Sequence, residues 1–93
     1  MRSDFELLAE YRAGSSAAFA TLMARHIDWV YSVALRRVGQ PHLAEDVTQT
    51  VFIALSQETK LQRGGSMSAW LFQVVRYASA KACLLYTSDA ADE

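Results

Sequence analysis

Two groups of residues have types and spacings that suit chemistry or recognition. The first lies in "HLAEDVTQTVFIAL", His42 to Leu55. Wound as an α-helix, this stretch puts Leu43, Val47, Val51 and Ala54 on a core face. Its outward arc then carries His42, Glu45, Asp46, Gln49, Phe52 and Ile53. His42 and Glu45, at i and i+3, have the spacing of two metal ligands on one helix face. Asp46 and Gln49 beside Ile53 combine hydrogen-bonding groups with hydrocarbon, the composition of a protein-docking face. Phe52, taken alone, reads as a ring packed against another helix. The second group is Trp70, Gln73, Arg76, Tyr77, Ala80 and Lys81, all away from the apolar stripe of a later helix. Interleaved rings and cations suit single-stranded nucleic acid, the rings stacking on bases and the cations neutralising phosphates. The loop before that helix holds Lys60, Gln62 and Arg63 with Gly64 and Gly65, which would let backbone approach an unstacked base.

Catalysis finds little support. A metal site built on His42 and Glu45 needs further ligands, and His26 sits on a different helix within its apolar face. The ordinary reading is a partly buried, hydrogen-bonded His26 and an exposed His42. No glycine-rich phosphate loop follows a strand, and there is no G-x-S-x-G element. The lone Cys83 excludes an internal disulfide framework and a cysteine-built zinc site. The expectation is a non-enzyme with no metal and no cofactor.

Four helices are needed to position these groups, and no strand signal competes with them. "DFELLAEYRAG" predicts a short helix with acids in its first turn and Gly14 as its stop. "SSAAFATLMARHIDWVYSVALRRVG" predicts a long one, capped by serine, ended by Gly39, with Phe19, Leu22, Met23, Ile27, Val30, Val33 and Ala34 inward. The third starts at Pro41, a favoured first helical position, although Gln40 is a poor cap. The fourth runs from about Met67 to Ala82 with Leu71, Val74, Val75, Ala78 and Ala82 inward. The fold class is therefore all-α, a compact bundle of about four helices in one domain.

Composition agrees with a folded chain: 52% of the 93 residues are hydrophobic and 20% charged. No apolar run is long enough to span a membrane, and the first ten residues lack a secretory signal, so a cytoplasmic location is expected. The net charge of -1 conceals an uneven spread. Residues 1–82 hold nine basic and seven acidic side chains, a net of +2. Between Thr59 and Ala82 lie four cations and no acid.

These residues resemble a known family. "AEDVTQTVFIAL" and "SAWLFQVVRYASAKA" are similar to the second conserved region of bacterial RNA polymerase sigma factors, with the extracytoplasmic-function group nearest. The pattern Asp46, Val47, Gln49, Phe52 and the Ala69-Trp70-Leu71 start of the last helix carry the likeness, which covers about residues 4–82. The resemblance implies that the third helix docks on the clamp helices of the polymerase β′ subunit through Asp46 and Gln49, with Glu45, Thr50 and Ile53 as neighbours. It implies that the loop and fourth helix melt and read the minus-ten element and capture a base of the non-template strand of promoter DNA. That role falls to Lys60, Leu61, Gln62, Arg63 and Ser66 from the loop, then Gln73, Arg76, Tyr77 and Lys81 from the helix. Trp70 and Phe72 are read as scaffold. An anti-sigma factor is a further candidate partner.

Two departures stand out. Tyr77 occupies a position where many members have asparagine. The family's second domain, a helix-turn-helix for the minus-thirty-five element, has no counterpart after Ala82, so the chain is expected to bind polymerase but initiate poorly by itself. The last eleven residues, "CLLYTSDAADE", lose the apolar periodicity and hold three of the ten acids. One reading is a frayed, acidic native terminus; the favoured one is that they resemble one reading frame of sequencing-library adapter DNA, which makes residues 83–93 an expected non-native tail. The rival from another class is a helical protein-interaction module that never touches DNA. Such a scaffold would tolerate Arg76→Ala and Lys81→Ala.

Overall fold

The computed structural model describes residues 2–58, 61 and 65–91, with side-chain surroundings as far as Leu84. Four helices follow one another: α1 (Asp4–Arg12), α2 (Ser16–Val38), α3 (Pro41–Gln57) and α4 (Met67–Ala91). No strand occurs among the described residues.

Local chemistry sets the helix ends. Ser3 and Glu6 form a reciprocal capping box at the start of α1: the Ser3 hydroxyl accepts from the Glu6 N–H at 3.1 Å, and Glu6 Oε1 accepts from the Ser3 N–H at 2.7 Å. The turn after α1 passes through Gly14 at φ +115°. Ser15 caps α2, and Gly39, in the left-handed region at φ +78°, ends it by donating to the Leu35 carbonyl at 2.8 Å. Gln40 gives α3 no side-chain cap, and Pro41 occupies the first turn. Ser66 caps α4, its hydroxyl oxygen accepting from the Ala69 N–H at 3.2 Å.

α2 is the central element and packs against α1, α3 and α4, while α3 also packs against α4. The core is formed by Leu7 and Leu8 of α1, Leu22, Val30 and Ala34 of α2, Val47, Val51, Phe52 and Leu55 of α3, and Met67, Leu71 and Val75 of α4. Burying that hydrocarbon is the main favourable contribution to folding in a chain of this size.

Three readings of the sequence need correction. The buried face of α3 is turned toward Ala44, Thr48, Phe52 and Leu55, which leaves Leu43 and Ala54 half-buried at its edge. The reason is that α3 is covered from two sides, by α2 and α4, so Phe52 points inward. On α2, His26 takes an inward position and Ile27 is turned out to 36% exposure. Finally, α4 does not end near Ala82; its backbone stays helical to Ala91. Residues 83–91 contain no Gly or Pro to break the backbone helix.

The buried His26 is satisfied, as expected. Its Nδ1 accepts from Trp29 Nε1–H at 2.9 Å, and its Nε2–H donates to Asp4 Oδ2 at 2.8 Å. Arg25 adds a bond to Asp4 Oδ1 at 3.0 Å, so one carboxylate at the start of α1 holds two side chains of α2.

Candidate partner-docking and nucleic-acid faces

The outward ridge of α3 carries Glu45, Asp46, Gln49, Thr50 and Ile53 together, all exposed, with Ile53 at 56%. The Thr50 hydroxyl donates back to the Asp46 backbone carbonyl at 2.9 Å, an i to i−4 bond within the helix. Neither Glu45 nor Asp46 forms an ion pair among the described residues. Grooves flank the ridge. One, of ≈ 570 Å³, runs between α2 and α3 and is lined by Ile27, Asp28, Tyr31 and Ser32 opposite Glu45, Thr48 and Gln49. The other, of ≈ 380 Å³, runs between α3 and α4, where Asp46 and Thr50 face Tyr77 and Lys81 across Ala54, Val74 and Ala78. The first groove has a hydrocarbon floor and a carboxylate rim with no cation in its lining, which suits a protein partner that brings cations and apolar knobs, whereas Lys81 stands opposite Asp46 in the second.

On α4, Gln73, Arg76, Tyr77 and Lys81 are all exposed, Tyr77 at 70%. Ser66 is exposed, with its hydroxyl oxygen engaged in capping α4. Leu61 is half-buried and packs against the core. Lys60, Gln62 and Arg63 lie outside the described residues. Trp70 is half-buried on the core, in keeping with a scaffold role. Phe72 departs from that role: it is 40% exposed, and the guanidinium carbons of Arg37 and Arg76 each lie 6.0 Å from its ring centroid.

Arg36 and Arg37 were absent from the residues singled out in the sequence. The only signal was an Arg-Arg pair in the last turn of α2, which reads as ordinary balance for the helix C-terminus. Only the packing of α2 on α4 shows that this pair stands beside Phe72 and Arg76. The metal geometry at His42 and Glu45 is not completed: among the described residues no group of three or more His, Cys, Asp or Glu could hold an ion. No helix among the described residues is long and apolar enough to cross a membrane.

The Sigma-70 region 2 family model matches residues 22–83, from the middle of α2 through the whole outward ridge of α3 and well into α4. The chain belongs to that family. It is a sigma factor segment concerned with transcription initiation, and sigma factors are not enzymes. Among curated relatives, the ECF RNA polymerase sigma factor SigE of Mycolicibacterium smegmatis is 36% identical over 53 residues. That alignment covers 57% of this chain and 21% of the relative, so the chain spans about a fifth of that protein's length. No solved structure matches.

Proposed function

We infer that this sigma segment binds core RNA polymerase through α3 and recognises and melts the minus-ten element through α4 and the loop before it. The observation that carries the reading is the segregation of unpaired charge. Asp28, Glu45 and Asp46 flank the α3 ridge, whereas Arg36, Arg37 and Arg76 gather on α2 and α4, and Lys81 stands at the boundary, across a groove from Asp46. One face suits a protein with basic docking helices and the other suits phosphates. In this scheme Asp46 and Gln49 supply the polar contacts to the β′ clamp helices, with Glu45, Thr50 and Ile53 around them. Lys60, Leu61, Gln62, Arg63 and Ser66 form the loop side of the base pocket, and Gln73, Arg76, Tyr77 and Lys81 track the non-template strand. No bond is made or broken; capture of an unstacked base holds the strands apart. The setting is the bacterial cytoplasm, and the same outward faces are open to an anti-sigma factor.

The test compares the parent chain with Asp46→Ala and Gln49→Ala for binding to the β′ clamp helices, and with Arg76→Ala and Lys81→Ala for binding minus-ten DNA. Loss of clamp binding in the first pair and of DNA binding in the second supports the scheme. A folded parent that binds neither target would overturn it. Clamp binding with no DNA binding would leave the pure protein-interaction module. The working domain is residues 1–82, with Cys83 to Glu93 as adapter-derived sequence. Recovering the same eleven codons with a different library chemistry would sink that last point.

A further inference from the structure

The described cations fall into two sets. Arg2 pairs with Glu10, Arg25 pairs with Asp4, and Arg12 donates to the Glu58 carbonyl at 2.6 Å. Arg36, Arg37, Arg76 and Lys81 have no carboxylate partner among the described residues. Three of these four meet around one ring. The Phe72 ring has near it both Arg37, from the last turn of α2, and Arg76, one turn further along α4, each guanidinium carbon 6.0 Å from its centroid. A shallow depression of ≈ 320 Å³ is lined by Arg36, Arg37 and Phe72 itself, and Arg37 and Arg76 line another of ≈ 330 Å³ that continues to Gln73 and Tyr77.

Folding therefore holds like charges together on a half-exposed aromatic with no counter-charge nearby. Balance of the α2 dipole accounts for two of the arginines. It accounts neither for Arg76, in the middle of α4, nor for the ring between the helices. A polyanion accounts for all of them. Guanidinium forks match phosphate oxygens, and planar groups resting on a ring keep their N–H edges directed outward at low entropic cost.

We propose that Arg36, Arg37 and Arg76, arrayed about Phe72, form a phosphate-gripping patch that extends the DNA face from α4 onto α2. The patch holds the backbone of the promoter strand and does not read its sequence. This rests on the DNA half of the proposed function. Phe72 is a positioning residue shared by two guanidinium groups, and base stacking falls to the more exposed Tyr77. Labour divides accordingly. The patch sets affinity and register, while Gln73 and Tyr77 at its edge meet the bases.

The test uses the full 93-residue chain and two labelled single-stranded oligonucleotides, one with a minus-ten-like sequence and one scrambled. Anisotropy gives affinity across a range of salt. The double variant Arg36→Ala/Arg37→Ala should lose affinity by a similar factor on both oligonucleotides. Its log–log salt slope should fall by about 0.7 for each phosphate contact removed. Arg36→Lys/Arg37→Lys, which keeps both charges, should keep the parent's slope. Clamp-helix binding should match the parent throughout, which also shows that the fold is intact. Parental affinity and slope in the Ala variant would overturn the patch and leave the proposed function standing, as would a loss confined to the minus-ten oligonucleotide or to clamp binding. A folded parent that binds neither oligonucleotide would remove the DNA half of the proposed function and the patch with it.

Discussion

Phe52 and Ile53 are chain neighbours of similar hydrophobicity with opposite surroundings, 3% and 56% exposed. Replacing Phe52 with Ala deletes a ring buried where α3 meets the core and leaves a cavity, at a cost of about 3–5 kcal/mol. A domain of this size has about 5–15 kcal/mol of total stability. Each kcal/mol shifts Tm by about 4–8 °C at this length, so Phe52→Ala should lower Tm by more than about 10 °C. Ile53→Ala removes a side chain already largely in water. The lost burial is at most about 1 kcal/mol, and alanine's better helix propensity offsets part of it. Its stability should stay near the parent's, and its defect should appear in binding to the polymerase clamp helices. Thermal and urea unfolding by far-UV circular dichroism, beside a clamp-binding titration, separates the two outcomes. If Ile53→Ala destabilises as much as Phe52→Ala, or Phe52→Ala unfolds at the parental temperature, the orientation given to α3 is wrong.

Other substitutions probe single interactions. Asp4→Ala strips the acceptor shared by His26 and Arg25, leaves a buried imidazole N–H unpaired, and should cost about 1–3 kcal/mol in urea unfolding. Ser79 is buried at 1% with no hydrogen-bond partner for its hydroxyl, so Ser79→Ala should be neutral or stabilising by up to about 1 kcal/mol; a measurable loss would mean that the hydroxyl has a partner. At Gly39, φ +78°, an added Cβ meets nothing within 4 Å. Gly39→Ala should therefore cost only backbone strain, about 1–2 kcal/mol, with Gly39→Asn recovering part of the loss in the same assay.

The fold was legible where chemistry is local. Gly14, Gly39, Ser15 and Pro41 mark helix ends by conformational rules that operate within a few residues, and those ends fall where the rules put them. The phase of α3 was less legible. Its apolar residues cover most of a circle, so periodicity could not decide between Leu43 with Ala54 and Ala44 with Leu55 until both neighbouring helices were in place. The reach of α4 beyond Ala82 was missed because an apolar stripe reports what a helix packs against, not where it stops. At the candidate site, Glu45, Asp46, Gln49 and Ile53 of the exposed ridge were readable from spacing, whereas Thr50 entered only through the family resemblance and Phe52, on the same predicted arc, is buried. The grouping of Arg37 with Phe72 was not readable, because it joins residues 35 positions apart that only the packing of α2 on α4 brings together.

The unbroken helical course of α4 past Ala82 has a mechanical corollary. The molecule measures 50 × 23 × 21 Å, and the 25 residues of α4 by themselves span about 38 Å. Whatever is joined to such a helix inherits its rotation and rise, about 100° and 1.5 Å for every residue. A reporter or second module fused in helical continuity would thus swing around the bundle axis with each residue added or removed. It would return to nearly the same bearing after seven residues, two turns on and about 10 Å further out. Spacer length in this segment is an angular setting as much as a distance.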